Sequence, residues 1–184
     1  MLDKQFYLKN GLIYGGINAV YLLITYVMGV DTMMSYYNMG FSLLLGLGLM
    51  IFMGTQVRKA LGGFMTLGEG FKNIMIIYAF ASFIYLVVNH VLGTVIDPEL
   101  PLKMAEATIE KSMALMEGFM PEEALDEVYE NMGEVREDVL AMYTLTGFIK
   151  TYVQTLAVGA IGVVIGAAIT KKVNPNPFPE DLHE

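Results

Sequence analysis

The stretch 73-NIMIIYAFASFIYLVVNHVLGTVI-96 decides the fold. Its 24 residues contain no Asp, Glu, Lys or Arg, and about 20 such residues cross a hydrocarbon core of about 30 Å as an α-helix. Only helices and closed barrels satisfy the backbone in lipid, and the stretch lacks the strict alternation of a barrel strand. Three more runs, Gly11 to Val30, Met39 to Val57 and Leu145 to Ile169, hold 19 to 25 residues each and are almost free of charge, Lys150 being the one charged residue among them. The chain is therefore expected to be an all-α, polytopic membrane protein with four transmembrane helices.

Its organisation follows from those spans. Residues 1–96 carry the first three, at about 11–30, 39–57 and 73–96, with a Gly-rich connection at 58–72. Residues 97–144 form an acidic, Met-rich segment, 145–170 the fourth span, and 171–184 a Pro-rich tail. Only 16% of the 184 residues are charged, against about 25% in a soluble domain, while 55% are apolar and mean hydropathy is +0.52. With no Cys and no Trp, this composition excludes a soluble enzyme, a disordered chain and a disulfide-stapled secreted module.

Lys and Arg set the expected orientation. Lys4, Lys9, Arg58, Lys59, Lys72, Lys171 and Lys172 flank the spans on one side, whereas the loop Asp31 to Asn38 has no basic residue. The 97–144 segment has thirteen acids against Lys103, Lys111 and Arg136. Both termini are thus expected in the cytoplasm, with the acidic segment outside. The first apolar run is too long for a signal-peptide core and is followed by no small-x-small site, so it reads as an uncleaved anchor.

Gly11 with Gly15, and Gly162 with Gly166, stand four apart, a spacing that lets helix backbones approach closely in lipid. They serve either the chain's own bundle or a seam between copies. The third span instead carries Tyr78, Phe80, Phe83 and Tyr85, which suits a lipid-facing or looser position. Before it, Thr66 and Glu69 have capping-box spacing, which gives Glu69 a structural role.

Asp97-Pro98-Glu99 has the order of a helix N-cap, a first-turn Pro and a dipole-favoured acid. Apolar residues recur at helical spacing from Ala105 to Met116 and again from Leu125 to Met142, which predicts a helical hairpin. Its second arm is expected to run into the fourth span, with Gly133 and Gly147 as weak points. The tail VNPNPFPEDLHE cannot continue a helix.

Taken in order, Gly63, Thr66, Glu69 and Phe71, then Ile96-Asp97-Pro98, then Lys171, Lys172, Asn176, Pro177 and Phe178 resemble the domain-of-unknown-function family 4199. The resemblance covers nearly the whole chain. It implies a small four-helix inner-membrane protein of the kind found chiefly in Bacteroidota, with no established activity and no catalytic residue to carry over.

Chemistry is sparse. No Asp or Glu lies in any apolar run, so a proton relay lacks its usual carboxylate. There is no HExxH, GxSxG or P-loop, and two His without Cys build no zinc cluster. The expectation is a non-enzyme with no cofactor, no metal and no nucleic-acid partner. Asn89, His90, Lys150 and Gln154 lie at similar depth and form a candidate polar pocket, with Lys150 and His90 suited to an anionic headgroup. The alternative is a snorkelling Lys150 and a His90 bonded to a neighbouring helix. Met113, Met116, Met120 and Met132 form a candidate partner surface, soft and adaptable, and the first three, on one helix face, are a weaker candidate for Cu(I).

Two functions follow. The first is a non-enzymatic subunit or adaptor of an envelope complex, engaging a protein partner through the outer hairpin. The second is an oligomeric small carrier or lipid-handling protein using the pocket around Lys150 and His90.

Overall fold

A computed structural model of the chain describes residues 2–116 and 132–175. Those residues form seven α-helices: α1 (Lys4–Val27), α2 (Val30–Met33), α3 (Tyr36–Ala60), α4 (Leu67–Val91), α5 (Leu100–Met116), α6 (Met132–Ala141) and α7 (Leu145–Thr170). α4 runs on through a π turn at Leu92–Ile96. The four long helices, α1, α3, α4 with its π turn, and α7, are long and apolar enough to cross a membrane. The start of the apolar arm, residues 125–131 with Leu125 and Val128, and the end of the tail with Asn176, Pro177 and Phe178 lie outside the described residues.

α4 is the hub of the bundle. It packs along α1 and α7 and also meets α3, whereas α1 and α3 scarcely touch. The ring-bearing third span is therefore the central helix and not a loosely held one, although Phe80 and Phe83 also face outward, each 47% exposed. Its neighbours supply the room. A Cβ on Gly11 would stand 2.7 Å from Phe80 Cβ, and one on Gly15 would stand 2.9 Å from the Ala81 carbonyl. Gly159 of α7 lies beneath the Tyr78 ring. Phe83 meets Phe148 and Tyr152 edge-on at 6.1 and 5.8 Å.

α3 and α7 close in the same way, Met50 lying against Gly162 and Gly166, and Gly54 against Thr170. Lipid offers no hydrophobic gain for helix association, so close van der Waals contact at small residues has to supply it. These glycines are used inside the chain. Fully buried Met53, Val57, Ile74, Ile77 and Val163 fill this half of the bundle.

One end, here the clasped end, gathers the start of α1, the α3–α4 loop and the end of α7. The Tyr7 hydroxyl donates to Asn73 Oδ1, and Arg58 donates to the Thr170 carbonyl at 3.2 Å. Met65 and Lys172 exchange backbone hydrogen bonds of 2.7 and 2.9 Å. The loop turns on Gly62 and Gly63 at φ 86° and 95°, a region open to Gly at little cost. The capping box forms, Thr66 Oγ1 accepting from Glu69 N at 3.3 Å and Glu69 Oε2 accepting from Thr66 N at 2.8 Å.

The opposite end is roofed by α2 and α5. Two expectations change here. α5 begins at Leu100, and Asp97 does not cap it. The π turn places Asp97 N on the Leu92 carbonyl at 2.8 Å. The Asp97 carboxylate accepts from Tyr26 at 3.3 Å and pairs with Lys103 at 3.6 Å. Nor does the second arm run straight into the fourth span. α6 stops at Ala141, and Thr144 caps α7 by accepting from Gly147 N at 3.1 Å. The Ala141 carbonyl sits where a Gly147 side chain would be, so this glycine marks the break.

Candidate functional site

Because α1 and α3 scarcely touch, the four long helices border a half-open cavity of about 840 Å³. That falls within the roughly 300–1,000 Å³ of small-molecule sites. Each helix turns polar residues toward it. α1 contributes Tyr14, Asn18, Tyr21 and Thr25, and α4 contributes Tyr78, Ser82, Tyr85 and Asn89. Both sets follow the same steps of four, three and four residues, one face of a helix. The two stripes run side by side, with the Tyr14 and Tyr78 rings 6.1 Å apart. α3 adds Asn38 and Ser42, and α7 adds Thr151, Gln154 and Thr155. Met33 and Met34 of the α2 turn and Met104 of α5 form its roof.

Among the described residues no Asp, Glu, Lys, Arg or His lines this space. Many of the polar groups already serve the fold. Tyr14 donates to the Gly46 carbonyl at 3.2 Å, and the Tyr21 hydroxyl donates to Asn38 Oδ1; together these bridge α1 to α3. Tyr78 donates to the Thr155 carbonyl at 3.1 Å, bridging α4 to α7. Asn18, Thr25, Ser42 and Ser82 donate to carbonyls on their own helices at 2.9 to 3.1 Å. The Tyr85 hydroxyl and the Gln154 amide make no hydrogen bond to another described residue, and both border the cavity. The site therefore offers neutral donors and acceptors in a space without fixed charge. A neutral oxygen-bearing guest can be satisfied here, whereas an ion would lose its hydration without a countercharge.

The four residues of the sequence-derived pocket separate. Asn89 and Gln154 line the cavity; His90 and Lys150 do not. The His90 ring stacks on Tyr143 at 6.4 Å and meets Phe148 edge-on at 5.4 Å. Lys150 is exposed, one turn from Gln154 toward the roofed end. Of the four methionines, Met113 is buried and Met116 half-buried. Met120 and the side chain of Met132 lie outside the described residues. Among the described residues no three His, Cys, Asp or Glu side chains gather as a metal site.

Sequence reasoning passed over the two tyrosine stripes. Their signal was available in the repeated spacing 14, 18, 21, 25 and 78, 82, 85, 89 within apolar runs.

Fold and cavity together define an all-helical protein whose four membrane-length helices surround an uncharged polar chamber. The chain belongs to the DUF4199 family, described as protein of unknown function, whose model matches residues 9–172. No curated protein and no solved structure matches it.

Proposed function

We propose that this chain is a non-catalytic membrane protein that binds an uncharged, hydrogen-bonding molecule between its helices, in the carrier or lipid-handling class. The observation that carries the reading is the polar, charge-free lining of a chamber this large among helices whose outer faces are apolar. Polar groups in the middle of a membrane are costly unless they are used. Four helices of one chain suffice to form the chamber, so this reading no longer needs a seam between copies.

The proposed location is the bacterial inner membrane with both termini in the cytoplasm. It is supported by the basic flanks at Lys4, Lys9, Arg58, Lys59, Lys72, Lys171 and Lys172, which belong to the clasped-end halves of the chain. An adaptor role rests on the exposed acids Glu134, Glu137 and Asp138 of α6, and its test is recovery of a stoichiometric protein partner from the native membrane.

Native mass spectrometry of the chain released from nanodiscs tests the binding reading. A Cβ on Gly46 would meet only Tyr14 Oη, at 4.0 Å, so Gly46→Leu extends into the chamber without a backbone clash. The wild-type chain is expected to retain a neutral adduct that this variant loses. Identical adduct-free spectra, or adducts confined to anionic species, would refute it.

A further inference from the structure

Two of the four seams around the chamber, α1–α4 and α4–α7, are closed by packing, and a third, α1–α3, is bridged by tyrosine hydrogen bonds across helices that otherwise hardly meet. Gly11 and Gly15 bring α1 against α4. Tyr78 and Tyr152, donating to the Thr155 and Ala79 carbonyls at 3.1 Å each, join α4 to α7. Tyr14 and Tyr21 bridge α1 to α3, with the Tyr21 ring 5.3 Å from Phe41. The fourth seam, between α3 and α7, is closed only in its clasped-end half, where Met50 meets Gly162 and Gly166 and Gly54 meets Thr170. Toward the roofed end, Met39 and Leu43 of α3 and Val158 of α7 line the chamber and yet are 63%, 64% and 70% exposed. Side chains that border an interior space and also face outward are the lips of an opening. Gln154 stands on the same lip, its amide unused by any described residue.

We infer that the chamber takes a neutral-headed lipid from the side, its oxygen-bearing head inside against Gln154 and Tyr85 and its hydrocarbon chain leaving between α3 and α7. This rests on the reading of the chamber as a binding site and names its ligand class. A helix-flanked gap with apolar lips, in a span long enough to cross the bilayer, faces acyl chains and not water. A wholly water-soluble guest gains nothing from Met39, Leu43 and Val158. An acyl chain stays solvated there while the head finds neutral partners within. Lys150 is exposed and does not line the chamber. Its charge therefore plays no part in holding the head.

The test is photolabelling of the full chain in phosphatidylcholine nanodiscs, with sites mapped by mass spectrometry. The probes are a diacylglycerol with a diazirine in one acyl chain, a phosphatidic acid with the same chain, and a diazirine-bearing polyol without a chain. The diacylglycerol is expected to label Met39, Leu43 and Val158 above other exposed apolar positions such as Leu8, Leu44 and Ile169. Gln154→Leu should lower that labelling about fivefold, the loss one hydrogen bond accounts for. Leu43→Trp, which narrows the opening from the exposed side, should lower it at least as much, and Lys150→Leu should leave it unchanged. Even labelling over all exposed positions overturns the inference, as does preference for phosphatidic acid that disappears in Lys150→Leu. Labelling of the chamber by the polyol, with no labelling of the lips, overturns lateral access but leaves the binding reading intact. Failure of every probe to label chamber residues overturns both.

Discussion

Tyr78 lies across Gly159, its ring filling the space a side chain there would need, and its hydroxyl donates to the Thr155 carbonyl at 3.1 Å. One residue pair thus sets the distance between α4 and α7 and turns a wall of the chamber.

Gly159→Ala should therefore be felt at both levels. Overfilling a close contact costs about 1–3 kcal/mol, and here relief requires the Tyr78 ring to move. The expected result is a lower midpoint of thermal unfolding in detergent than for Gly48→Ala, whose added Cβ meets nothing within 4 Å. Equal midpoints would show that Tyr78 yields freely.

Tyr14 and Tyr21 carry the α1–α3 seam across helices that otherwise hardly meet. Replacing either by Phe removes one hydrogen bond, a loss of about 1 kcal/mol. The double variant should increase backbone hydrogen exchange in α1 and α3 more than in α4 and α7. Uniform change across all four helices would contradict this division.

The clasp at the other end makes a different prediction. Gly62 and Gly63 adopt φ 86° and 95°, and nothing stands within 4 Å of an added Cβ at either. Any loss in Gly62→Ala or Gly63→Ala is then backbone strain alone, about 1–2 kcal/mol per residue for a left-handed L-residue. Thr66→Ala removes the cap on Glu69 N and should cost about 1 kcal/mol. Thermal unfolding of the single variants checks all three, and a neutral Gly62→Ala would mean that the loop finds another turn.

Because the chain has no Cys, single introduced cysteines report orientation without background. Lys9→Cys and Lys172→Cys should be labelled by an impermeant maleimide only after the membrane is opened, whereas Lys111→Cys and Glu137→Cys should be labelled in intact cells. The reverse pattern would invert the proposed topology.

Much of this was legible beforehand, for identifiable reasons. The four long helices follow from the length of runs almost free of charge, and the capping box from two residues three apart, because both depend on local order alone. The hub role of α4 was not legible in the same way. Tyr78, Phe80 and Phe83 look poorly suited to close contact until Gly11, Gly15 and Gly159 are seen to face that helix, and those pairings join distant parts of the chain. For Asp97 the local pattern of a cap was present, but the π turn and Tyr26 of α1 claimed the residue first.

The candidate site divides along the same line. Depth along a helix can be counted, and it brought Asn89, His90, Lys150 and Gln154 to one level. Direction around the helix axis depends on which neighbours it meets, and that turned Asn89 and Gln154 inward while leaving Lys150 exposed and His90 among Tyr143 and Phe148. Hydropathy and spacing, which act along the chain, were enough to establish an all-helical protein with four long apolar helices and its charge gathered outside their apolar stretches. The chamber, its neutral lining and its open side arise from contacts between helices, where small residues meet large ones and a gap remains between the two that do not close.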